Sequence, residues 1–161
     1  MNKDFKLFSS EELGFSIEYP QNYEAKENFN QYVPISFFEI IVDSLNDRYP
    51  ENVLFNIEKI PTNIEIPFKD FMQAAKTKLK LEIPELEISN EDSISINGVP
   101  TGIYTFYRPK EGGPDFKSKM FVLLQVGRAI NISCTSTAEN FDTYLPTFNK
   151  IVGSLKLIEK K

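Results

Sequence analysis

The chain has 161 residues, 41% of them hydrophobic and 13% aromatic, enough to fill one core and too few to expect two, so a single domain over 1–161 is expected. Its 18 basic and 23 acidic side chains leave a net charge of −5 spread along the sequence, which argues against nucleic acid as a partner and against a polybasic membrane patch. The absence of histidine, with Cys134 as the lone cysteine, removes the commonest general base, the commonest transition-metal ligand, a thiolate zinc site and any internal disulfide.

The opening residues, MNKDFKLFSS, lack the apolar run of a secretory signal, and no stretch approaches the ~20 apolar residues that span a bilayer. With Met1 as the native start the expected compartment is the cytoplasm; a leader trimmed ahead of it would place the chain outside. In GFSIEYP, Phe15, Ile17 and Tyr19 alternate with Ser16 and Glu18, a half-buried strand ended by Pro20. PISFFEIIVDS and ENVLFNIEKI read as two further strands. The first is apolar at nearly every position, so both of its faces are expected to be covered.

From Pro67 to about Leu81 the period becomes helical: Phe68, Phe71, Met72, Ala75 and Leu79 share one stripe, and Pro67 suits a helix start. That stripe reads as core, with the lining of a ligand cleft as the alternative. Lys76, Lys78 and Lys80 read as a solvated helix face. Four strands follow Pro84. Asn97-Gly98 suits a type I′ hairpin turn and Gly127-Arg128 a type II′ turn, while RPKEGGPD between the middle strands reads as an exposed, mobile loop. A last apolar stripe runs from Phe141 through Tyr144, Leu145, Phe148, Ile151 and Val152 to Leu155. Pro146 lacks a donor and clashes with a preceding turn, which predicts a short turn over 137–142 and a main helix from about Tyr144.

The stretch SCTSTAENFDTY places the only thiol where a strand meets that helix. Alternation puts Cys134 on one face with Ile130 and Ile132, and the nearest basic residue in sequence, Arg128, is at the far end of the strand. Ser136-Thr-Ala-Glu139 matches a helix capping box, which accounts for the hydroxyls. Cys134 therefore reads as a core thiol, and no catalytic residue is assigned. In SNEDS, Asn90, Glu91 and Asp92 offer oxygen ligands for a hard cation, but without EF-hand spacing or its glycine, and a solvated turn is the simpler reading. EGG at 111–113 lacks the frame of a phosphate loop. Tyr107, Arg108 and Lys110 border the RPKEGGPD loop, where recognition residues concentrate, and with Asn90, Glu91 and Asp92 they are the candidate binding residues. No metal and no cofactor are expected.

Three stretches, GFSIEYPQNY, INGVPTGIYTFYRP and NISCTSTAENFDTYLPTFNKIVGSLKL, resemble the PsbP-like family in the same order along nearly the whole chain. That group includes the extrinsic PsbP proteins of photosystem II and the Ran-binding Mog proteins. The resemblance implies a central antiparallel sheet between helical layers, and action by docking to protein partners rather than by catalysis. Histidines associated with metal binding in plant PsbP have no counterpart here, no residue of the Mog surface for Ran is matched, and the lipobox cysteine of anchored relatives is absent near Met1.

The expectation is an α+β fold, a three-layer α/β/α sandwich around an antiparallel sheet of about six or seven strands. Its function is read as a non-enzymatic protein-binding or assembly-factor domain, with contacts at the rim formed by the 108–115 loop and the turn around Asn90. The alternatives are a hydrolase-like small-ligand enzyme with a cleft beside the sheet, or a calcium-responsive binding domain.

Overall fold

The computed structural model describes residues 4–40, 51–109 and 114–158. Two antiparallel meanders build the main sheet. The first comprises β3 (Tyr23–Asn30), β4 (Val33–Glu39) and β5 (Asn52–Lys59). After helix α1 (Phe68–Glu82) the chain returns as β6 (Glu87–Ile96), β7 (Val99–Arg108), β8 (Phe116–Gln125) and β9 (Arg128–Thr137). Because β9 pairs antiparallel with β5, the meanders merge into one seven-stranded sheet of order β3-β4-β5-β9-β8-β7-β6. A second, three-stranded sheet combines β1 (Phe5–Ser10), β2 (Phe15–Pro20) and the short β10 (Lys156–Leu157), which follows helix α2 (Phe141–Gly153). The fold is thus α+β and mostly antiparallel; the small sheet, and β1 and β3 as strands, are absent from the sequence-based expectation.

Alternation sorts the main sheet into two unlike faces. On one, Phe37, Phe55, Phe121, Ile130, Ile132 and Cys134 meet Phe15 and Ile17 of β2 and the buried α2 residues Phe141, Phe148, Ile151 and Val152. Aromatic contacts bridge the two sheets: the Phe15 and Phe55 rings stack at 5.1 Å, and Phe8 of β1 meets Phe37 edge-on at 5.9 Å. On the opposite face a smaller cluster joins Leu86, Tyr104 and Phe106 to Met72, Ala75 and Leu79 of α1. Gly102 makes that approach possible, since a Cβ there would stand 2.0 Å from the Met72 Cε. The Tyr104 hydroxyl donates to the Met72 carbonyl at 2.6 Å. Even so, no residue of α1 is fully buried.

Several local expectations are met and several are corrected. Asn97 (φ 47°) and Gly98 (φ 84°) carry the two positive φ angles of the expected type I′ turn. The other hairpin is displaced by one residue. Gln125 pairs with Arg128, so Val126 and Gly127 form the loop, and only Gly127 (φ 87°) is positive, the pattern of type II rather than II′. Arg128 is held in the ladder because its guanidinium donates to the carbonyls of Leu13 and Gly14 and to Gln125.

Helix α2 begins at Phe141, three residues before the expected start, and includes Pro146. Pro146 sits close to the N-terminus, where the amides of Thr143 and Tyr144 both donate to the Asn140 carbonyl, and burial of Phe141 and Phe148 outweighs the one lost ladder bond. The capping box does not form. Strand β9 extends to Thr137, so Ser136 is a buried strand residue donating to the Thr137 carbonyl at 2.8 Å, and Asn140 takes the cap position. SNEDS is likewise no turn: the ladder with β7 draws it into β6, and its irregularity survives as a bulge at Ser89. The strand expected over 34–44 is described only as far as Glu39, and residues 110–113 of the RPKEGGPD loop lie outside the described residues.

Candidate functional site

Edge strand β6 decides what the three candidates around position 90 can do together. Asn90 pairs with Thr105, Glu91 with Tyr104 and Asp92 with Ile103, so Asn90 and Asp92 point to the α2 side and Glu91 to the α1 side. Across the sheet from the other two, Glu91 forms an ion pair with Lys76 of α1. The three side chains therefore do not converge, and among the described residues no group of three or more His, Cys, Asp or Glu side chains gathers as a cation site.

Asn90 and Asp92 instead line a shallow cleft of about 250 Å3, with Thr105 of β7, Lys117 and Lys119 of β8, and Asp142 of α2. Neither carboxylate forms an ion pair with either lysine. Lys117 lies 5.0 Å from the Phe141 ring centroid, and Lys119 lies 5.1 Å from that of Phe121 while donating to Asn149 Oδ1 at 2.8 Å. Asp92 Oδ1 accepts from the Ser93 amide at 2.8 Å. Two charges of each sign thus border one depression without being neutralised by each other.

Tyr107 shares the cleft face by alternation, two ladder positions beyond Thr105. Its hydroxyl donates to Asp115 Oδ2, and that bond, with lesser help from burial and from the charges of Asp115 and Glu87, raises the phenol above its ordinary value. Arg108 lies over the Phe116 ring at 5.5 Å. Both residues brace the base of the β7–β8 connection. Lys110 lies outside the described residues.

Cys134 has no exposed surface and lies in the core with Ile130 and Ile132. Burial pushes its thiol well above the ordinary range, and the nearby Lys119 charge pulls only weakly the other way. Lys119 stands opposite Cys134 in the ladder, so the relevant cation comes from the neighbouring strand and not from Arg128. Sequence reasoning missed Lys117, Lys119 and Asp142. The spacing K-S-K in a strand was the available signal, because residues two apart share a face.

Comparison with solved structures fixes what this arrangement is built on. The structure matches cyanobacterial PsbP (CyanoP) of Synechocystis sp. PCC 6803 over 98% of this chain and 94% of that one, with a TM-score of 0.73 at 15% identity. The fold is PsbP-like. The same PsbP-like fold matches LpqN of Mycobacterium tuberculosis, described as involved in cell envelope biogenesis, over 98% and 93% of the two chains (TM-score 0.73, 12% identity). It also matches the Saccharomyces cerevisiae Ran-binding protein Mog1p over 99% and 97% (TM-score 0.62, 10% identity). At these identities the likeness is one of fold, and the resemblance read from three sequence stretches holds at that level. No protein-family model and no curated protein matches the chain. Among the described residues, no helix is long and apolar enough to cross a membrane.

Proposed function

We propose that this chain is a non-enzymatic protein-binding or assembly-factor domain, a single three-layer α/β/α unit that docks a partner protein at the β6–β8 edge. The observation that carries this reading is the cleft in which Asp92 and Asp142 face Lys117 and Lys119 without pairing. Charges of both signs held apart on a stiff sheet suit a partner with the complementary arrangement, and such complementarity steers encounter and fixes register. The docking Mog1p performs as a Ran-binding protein, on the same fold, lends the reading support by analogy. Contact is through side chains and not by addition of a strand: β6 carries Glu87, Glu91 and Asp92 and is bulged at Ser89, features that protect an edge from pairing. The buried, neutral thiol of Cys134 favours binding over covalent chemistry.

A photoreactive amino acid in place of Asn90 tests this in the source cells. It should crosslink one reproducible protein, lost when Lys117→Glu and Lys119→Glu are added and absent when the probe replaces Glu12 in the β1–β2 turn. Equal crosslinking from both positions, or none from Asn90, would contradict the assignment.

A further inference from the structure

Strands β5 and β9 lie at the centre of the main sheet, where aliphatic residues usually cover the strands, but α1 packs beside them over Gly102, Tyr104 and Phe106 of β7 and leaves this face open. On the α1 side the floor is amide and hydroxyl instead. Asn56 and Asn131 stand directly opposite each other in the ladder, with Ser133 next on the same face of β9. They floor a trough of about 590 Å3. One wall is Phe71, Ala75 and Leu79 of α1 with Met120 of β8; Tyr32, 66% exposed at the β3–β4 turn, stands on the other side. An open polar floor at the centre of a sheet departs from the expected pattern in the way that sites do.

The floor has hydrogen-bonding capacity to spare. Asn56 Nδ2 donates to the Tyr32 carbonyl at 3.0 Å, which leaves its Oδ1 to accept. Asn131 and Ser133 make no side-chain hydrogen bond among the described residues. A carboxamide presents donor and acceptor side by side, the same pair that a peptide group presents, so it reads main chain without regard to sequence. The apolar wall adds a place for aliphatic side chains. Length fits as well: the wall from Phe71 to Glu82 extends about 16 Å at the helical rise, the reach of about five extended residues. Charge sets the last term. Glu58 and Glu82 line the trough against the single Lys78, and none of the three forms an ion pair among the described residues, which favours a cationic occupant.

We propose that this trough binds an extended segment of a partner protein, about five residues long, aliphatic and flanked by lysine or arginine, with Asn56 and Asn131 on its main chain. It needs no residue of the edge cleft.

Selection of randomised seven-residue peptides, displayed on phage, against the immobilised full chain tests the proposal, followed by calorimetry with the enriched peptides in end-capped form. The enriched sequences should combine aliphatic with basic residues and bind saturably. Asn131→Leu and Asn56→Leu, each checked for an unchanged melt, should weaken them at least tenfold, Glu58→Lys should also weaken them, and Asp92→Lys should not. Should either leucine variant fail to fold, Ser133→Ala provides the same readout at the floor. Four results would overturn the assignment: no enrichment over the Asn56→Leu/Asn131→Leu double variant, enrichment of acidic peptides, affinity that follows Asp92 instead of Asn131, or saturation by the neutral disaccharide maltose in place of peptide. The third would leave the edge cleft standing as the docking site.

Discussion

The two faces of the main sheet solve different problems. Beneath α2 the chain packs four buried helical residues onto phenylalanines and isoleucines from both sheets. Beneath α1 no helical residue is fully buried: Met72, Ala75 and Leu79 rest on Leu86, Tyr104 and Phe106, with Met72 in the niche at Gly102. The difference teaches that periodicity alone does not make a helix a core element. Both helices are amphipathic, yet only one is buried deeply against the sheet; the other rests on a small apolar cluster and leaves hydrogen-bonding groups of the central strands accessible. Apolar burial is concentrated on the α2 side, which leaves the α1 side and the β6–β8 edge as the more open surfaces.

Truncation gives the largest contrast. Phe148→Ala on the α2 side should cost about 3–5 kcal/mol, whereas Phe71→Ala on α1 should cost less than about 1 kcal/mol, as read from urea midpoints. Base adds a second measure of burial. Burial holds the Tyr23 phenol and the Cys134 thiol, both on the α2 side, above their ordinary values of 10.0 and 9.0, with the charges of Glu39 and Glu51 adding to the effect on Tyr23. A group whose ionisation is raised by folding leaves stability intact below its unfolded value and withdraws it as pH rises beyond. Stability should therefore hold to about pH 9 and then fall by up to about 1.4 kcal/mol per pH unit for each group, with Cys134→Ala deferring the onset toward pH 10. A third test addresses the α1 anchor. Gly102→Ala places a Cβ against the flexible end of Met72 and should cost about 1 kcal/mol, a loss that Met72→Ala largely relieves in the double variant.

Much of this architecture was legible in the sequence. Alternation in GFSIEYP and RAINISCT, the Asn97-Gly98 turn and the stripe from Phe141 to Leu155 each follow from a local rule that the fold obeys. What escaped was set by pairing at a distance. Strand β3 reads YEAKENFN, too charged to show a period, and becomes a strand because β4 offers it a ladder. SNEDS has turn composition but is drawn into β6 by a long neighbour in β7. Ser136 and Glu139 have capping-box spacing, yet the ladder with β8 keeps Ser136 in its strand. Asn90, Glu91 and Asp92 were legible one at a time and not as a group, being adjacent in sequence but divided between faces, while Asn56 and Asn131, which no local rule singled out, are far apart in sequence and become cross-strand partners.

Native-state hydrogen exchange resolved to single amides tests the division of labour between the faces most directly. Amides of Phe148, Ile151 and Val152 should exchange only through global unfolding, and those of Ala75 and Leu79 about a hundredfold faster or more through local release of α1. Equal protection of the two helices would contradict the account.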